Sequence, residues 1–145
     1  MIEVYLNFPG NAREALTYYA EVFGAPAPYV MSFADMPEED RAGAPAGMEN
    51  MVIYGNLKTF AGDIMMSDDM PDRSAAPTNA SWIAVTHTDD AAIRRVFEAL
   101  AKDGEVLMPL EATFFSPLYG QVKDKFGHHW MLMLPSSMEA PGTAG

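Results

Sequence analysis

With 145 residues, 49% of them apolar and 20% charged, the chain has the make-up of one ordinary globular domain or two small, closely packed modules, and is too short for two independent domains. A formal net charge of -11 with no clustered Lys or Arg excludes nucleic acid and anionic membrane surfaces as expected partners. The absence of cysteine excludes a disulfide framework, thiolate metal sites and cysteine nucleophiles. No apolar run approaches the ~18 residues of a spanning helix, and the first residues are strand-like, so a cytoplasmic protein is expected.

Glu3 to Phe8 alternates with period two, setting Val4, Leu6 and Phe8 on a core face and Glu3, Tyr5 and Asn7 on the other. Pro9-Gly10 breaks this strand. Asn11 with Glu14 predicts a capping box opening a helix whose buried stripe is Ala12, Ala15, Leu16, Tyr19, Val22 and Phe23, and Gly24 ends it. Tyr29 to Phe33 is a second strand. Residues 34–50, with Pro37, Gly43, Pro45, Gly47 and several carboxylates, have no sustained period and are expected to form an acidic surface loop. Met51 to Tyr54 and the run ending at Met66-Ser67 then make a hairpin.

A Pro-containing linker follows, and the pattern restarts. Ser81 to His87 is a strand with Ile83 and Val85 on the core face and Trp82, Ala84 and Thr86 opposite. Thr88-Asp89-Asp90 caps a helix with stripe Ile93, Val96, Phe97 and Leu100, ended by Gly104. Glu105 to Thr113 holds a strand interrupted near Pro109. The stretch from Tyr119 to Leu134 is a hairpin turning on Asp124-Lys125-Phe126-Gly127, and Asn56 to Ser67 is a weaker copy of it. The order is therefore β-α-β-β-β twice, with modules at 1–68 and 80–134, a linker at 69–79 and a flexible tail at 135–145. Neither module has the apolar surface to stand alone, so their sheets are expected to pair, within one chain or between two.

Several fragments in order, Tyr5-Leu6-Asn7-Phe8 through Phe23-Gly24, Asp63-Ile64-Met65-Met66-Ser67-Asp68, Thr113-Phe114-Phe115 and Asp124-x-Phe126-Gly127-x-x-Trp130-Met131, resemble the PhnB-like branch of the glyoxalase/bleomycin-resistance (vicinal oxygen chelate) superfamily. The resemblance implies an α+β fold. Its two paired βαβββ modules form a curled eight-stranded mixed sheet around a concave pocket, helices lie on the outer face, and a homodimer is usual. Some members of the branch carry a ubiquinone-pathway methyltransferase label, yet no strand here leads into a Gly-rich turn that would hold S-adenosylmethionine.

In metal-binding relatives, ligands project from the first and fourth strand of each module. Those positions fall on Glu3 (or Val4), Met65, Trp82 and Met131, of which only Glu3 suits a hard divalent ion. His128 and His129 are neighbours and point to opposite faces of a strand, so no metal site and no cofactor is expected. Face parity puts Tyr5, Asn7, Met65, Ser67, Trp82, Ala84, Thr86, His129, Met131 and Met133 inside an apolar, thioether-rich concavity suited to a small organic molecule. Glu111 and Tyr119 are the candidate catalytic residues, as groups that could move a proton; the family's usual Gln-Glu-Thr reads Glu111-Ala112-Thr113 here. The expectation is a metal-free binder of a partly aromatic or apolar ligand. The alternatives are a divalent-metal-dependent lyase or dioxygenase and a sequestration protein for a cationic drug.

Overall fold

The first and last strands of each module pair in parallel, at one side of that module's sheet. In the computed structural model, which describes residues 1–44, 46–70, 72–73 and 75–136, the chain divides into two compact units, Met1–Ala75 and Ala76–Gly145. The expected tail beyond residue 136, and Pro45 and Pro71 of the expected loop and linker, lie outside the described residues.

The first unit runs β1 (Val4–Phe8), α1 (Ala12–Phe23), β2 (Tyr29–Ser32), β3 (Val52–Thr59) and β4 (Gly62–Asp68). Its four-stranded mixed sheet has the order β1-β4-β3-β2, with β1 parallel to β4 and the other pairs antiparallel. The second unit repeats the plan with β5 (Trp82–Thr86), α2 (Asp90–Lys102), β6 (Glu105–Glu111), β7 (Tyr119–Lys123) and β8 (His129–Met133), in the order β5-β8-β7-β6. The α+β fold of two βαβββ modules expected from the sequence is the fold observed.

In each unit the helix covers one face of its own sheet, where the apolar stripes meet. Leu16 and Tyr19 of α1 are buried with Phe8, Leu57, Ile64 and Met66; Ile93, Val96 and Leu100 of α2 are buried with Val122, Trp130 and Leu132. Side chains on alternate positions of the same strands emerge on the face away from the helix.

Four local expectations need correction. Asn11 occupies the N-cap of α1, but its side chain makes no capping bond. Asp68 does the work instead, from the end of β4: its Oδ1 accepts from the backbone N–H of Gly10 (3.1 Å) and Ala12 (2.8 Å), and its Oδ2 from that of Val52 (3.0 Å). This carboxylate, 8% exposed, satisfies N–H groups at the start of the helix and ties them to β3. Gly24 ends α1 in the left-handed conformation as expected (φ 60°), but Gly104 does not close α2 that way: Asp103 is the C-cap. Gly104 is small because a Cβ there would run into the backbone carbonyls of Lys123 and Leu100.

Phe33 leaves β2 and begins a 3-10 turn (Phe33–Asp35), fixed where the Asp35 carboxylate accepts from the Ser32 N–H (2.9 Å) and hydroxyl (3.0 Å); a second 3-10 turn follows at Glu38–Gly43. Finally, Pro109 does not break β6, which instead loses register against β7 between Val106 and Met108 and again before Glu111. Among the described residues, no helix is long and apolar enough to cross a membrane.

Candidate functional site

The face of each sheet that its helix leaves uncovered carries the residues singled out from the sequence. In the first unit, backbone register sets Tyr5 beside Met65 and Asn7 beside Ser67. The side chains are joined: the Tyr5 hydroxyl donates to Ser67 Oγ at 2.7 Å, and Ser67 donates to Asn7 Oδ1 at 3.3 Å. The direction is forced, because an amide oxygen can only accept. Asn56 stands beside Met65 on β3 and Tyr29 beside Asn56 on β2, so the row continues across the sheet. Tyr29 packs its ring on Tyr54 at 6.0 Å, and a small cavity of about 130 Å³ lies against Tyr29, Asn56 and Lys58.

In the second unit, Trp82 is in register with His129, Ala84 with Met131 and Thr86 with Met133. The indole and imidazole meet edge to face at 4.9 Å, and the indole N–H is spent on the Asn79 carbonyl at 3.0 Å. Register on β7 and β6 adds Gln121 beside Met131, with Tyr119 beside Met133 on one side and Glu111 on the other. Both candidate proton-handling residues therefore stand on the same face as Met131 and Thr86. They differ in setting: Glu111 is exposed, whereas Tyr119 is 8% exposed and accepts from Gln121 Nε2 at 2.9 Å. The Tyr119 ring is held edge to face by Phe115 at 4.9 Å, and Phe115 in turn meets Phe114, 84% exposed, at 5.2 Å.

The histidines divide as parity requires. His129 faces Trp82, and its Nδ1 is buried with no hydrogen-bond partner among the described residues. His128 belongs to the turn before β8, where burial holds its imidazole below the ordinary histidine value; Asp124 opposes that shift and His129 adds to it. His87 Nδ1 accepts the Asp89 N–H (3.1 Å) just ahead of α2. Among the described residues no three His, Asp or Glu side chains form a group that could hold an ion. Of the positions that the resemblance implies for metal ligands, Met65, Trp82 and Met131 offer two thioethers and an indole whose nitrogen carries a proton, a poor donor set for a hard divalent ion; Glu3 is exposed ahead of β1.

Sequence reasoning missed Gln121, Asn56, Tyr29 and Phe115. The first three share the strand parity of residues already chosen, and carrying the period-two count onto β2, β3 and β7 would have found them. One larger cavity, about 260 Å³ and lined by Pro9, Gly10, Gly47, Met48, Asn50, Met51, Asp68 and Asp69, includes none of the residues chosen from the sequence.

Comparison with known proteins agrees with this architecture. Residues 1–133 match the family model described as 3-demethylubiquinone-9 3-methyltransferase. Protein PA1353 from Pseudomonas aeruginosa is 32% identical, with a TM-score of 0.77 over 93% of this chain and 97% of that one. The PhnB protein from Bacillus cereus is 29% identical, with a TM-score of 0.69 over 92% and 98%. At the level of fold alone, a glyoxylase/bleomycin resistance protein/dioxygenase domain from Frankia sp. EAN1pec is similar with a TM-score of 0.61 at 13% identity, over 93% and 96%.

Proposed function

Because the chain belongs to the 3-demethylubiquinone-9 3-methyltransferase family, the PhnB-like branch of the glyoxalase/bleomycin-resistance superfamily, we propose that it is a metal-free binder of a small, partly aromatic or otherwise apolar organic molecule. One observation carries this reading: on the second sheet, Trp82, His129, Met131, Tyr119 and Gln121 combine an indole wall and a thioether with two joined polar groups. Sites for small molecules are built from that mixture, with apolar area for affinity and few polar groups for orientation. The Tyr5–Ser67–Asn7 chain beside Met65 supports the same reading for the first sheet. A cytoplasmic homodimer belongs to the proposal, supported by the apolar Val106, Leu107 and Met108 left exposed on the edge strand β6.

Methyl transfer fits the residues poorly. Neither β-to-α connection is glycine-rich: Pro9-Gly10-Asn11 is closed by the Asp68 carboxylate, and His87-Thr88-Asp89 is a capping turn. Two thioethers and an indole at the ligand positions likewise oppose a divalent centre.

Thermal denaturation with micromolar Ni, Mn or Zn, beside methyl NMR of the methionines titrated with neutral, anionic and cationic naphthalenes, tests the proposal. No metal-dependent rise in Tm, and shifts of Met131 by naphthalenes that are lost in Trp82→Ala, are expected. A large rise with any of the metals would replace this reading with the metal-dependent lyase or dioxygenase. Binding confined to the cationic probes would replace it with drug sequestration.

A further inference from the structure

Resting on that ligand-binding reading, we infer that the Tyr119 hydroxyl is a specificity-determining hydrogen-bond donor that selects ligands carrying a neutral carbonyl oxygen on a flat apolar body. A phenol has one proton to give. Gln121 Nε2 already donates to the Tyr119 oxygen at 2.9 Å, and among the described residues the acceptor facing the Tyr119 proton is Met131 Sδ at 4.0 Å. A thioether is a weak acceptor, and 4.0 Å is the outer limit of contact, so the donor is almost unspent. Accepting from Gln121 polarises the O–H and makes it a better donor.

Position and burial turn this into selectivity. The ring cannot readily swing away, because Phe115 packs against it at 4.9 Å and the Phe115 carbonyl is itself held by Ser136 Oγ at 2.8 Å. With Tyr119 only 8% exposed, water does little to satisfy the hydroxyl, so a ligand oxygen gains what water does not already supply. Met131 can yield its place, since a thioether chain changes rotamer easily. Glu111, in register with Tyr119 on β6, sets a negative charge beside the donor and disfavours carboxylates, leaving neutral ketones, aldehydes and amides. Trp82 and Met131, on adjoining strands, supply the apolar wall.

The test uses 1-acetonaphthone and 1-ethylnaphthalene, which differ by a carbonyl in place of a methylene, titrated into the intact protein. The wild type should bind the ketone about tenfold tighter. Tyr119→Phe should reduce that ratio to near one. Gln121→Glu should do the same, because its carboxylate captures the phenol proton; it carries the test if Tyr119→Phe does not fold. Equal binding of both probes by the wild type, or a ketone preference that survives both substitutions, overturns the inference and leaves the ligand-binding reading standing. Failure of the wild type to bind either probe overturns both.

Discussion

Two buried aspartates organise the turns of this chain, Asp124 over a few residues and Asp68 across more than fifty. Asp124, 3% exposed, accepts at Oδ1 from the N–H groups of Phe126 (2.8 Å) and His128 (3.0 Å), while its Oδ2 takes the indole N–H of the fully buried Trp130 at 2.8 Å. One carboxylate thus shapes the last hairpin turn and satisfies the largest side chain of the core. Gly127 at φ 94° completes the turn. Replacing Asp124 with Ala strands three donors, one buried and two partly so, and should cost about 3 kcal/mol, read as a lower denaturant midpoint with changed Trp130 fluorescence. Asp68 plays the matching part in the first unit, and its partners Gly10 and Ala12 lie more than fifty positions away in sequence. That distance is why the Asn11–Glu14 box looked sufficient from local spacing: nothing near Asn11 announces a competitor from the end of β4. His128 sits in the same turn as Asp124, and burial lowers its pKa below the ordinary 6.5. The unfolded chain therefore binds more protons than the folded one as pH drops below about 6.5, so stability present above that value is lost as pH falls toward the lowered native pKa. Tm measured from pH 8 to 5 should decline through this window, and the decline should be shallower in His128→Gln.

At the scale of elements, the period-two and helical stripes indicated which strands and helices exist, and Phe8, Leu16 and Ile93 are buried on the strand face and helix stripes assigned to them. Parity also brought Tyr5, Asn7, Met65 and Ser67 to one face, and Trp82, Thr86, His129 and Met131 to another. Side-chain pairing was not legible: the Tyr119–Gln121 bond depends on rotamers that a face count does not specify. The reason for Gly104 was equally hidden, because the carbonyl it must clear belongs to Lys123 on another strand. Gly104→Ala should therefore destabilise by ~2 kcal/mol through steric overlap with backbone that cannot yield, far more than a C-cap outside the left-handed region would lose. Thermal melts of that variant beside Gly24→Ala separate the two causes, the latter paying only for φ 60°.

For the whole molecule, net charge and exposed apolar surface pull in different directions. A net charge of -11 spread without basic clusters is expected to repel polyanions, while the exposed Val106, Leu107 and Met108 give β6 an apolar edge. Sedimentation at high micromolar concentration should show a dimer, and Leu107→Lys should shift it toward monomer by placing charge on that edge. A monomer in the unaltered protein would count against the homodimer. The sheet orders β1-β4-β3-β2 and β5-β8-β7-β6 have a further consequence: every strand finds its neighbours inside its own half of the polypeptide. Among the described residues, none between Asp69 and Ser81 thus carries a rung of either ladder, and a gene rearranged to begin at Ser81 and end near Asp69 would encode the same set of strand pairings in reversed order.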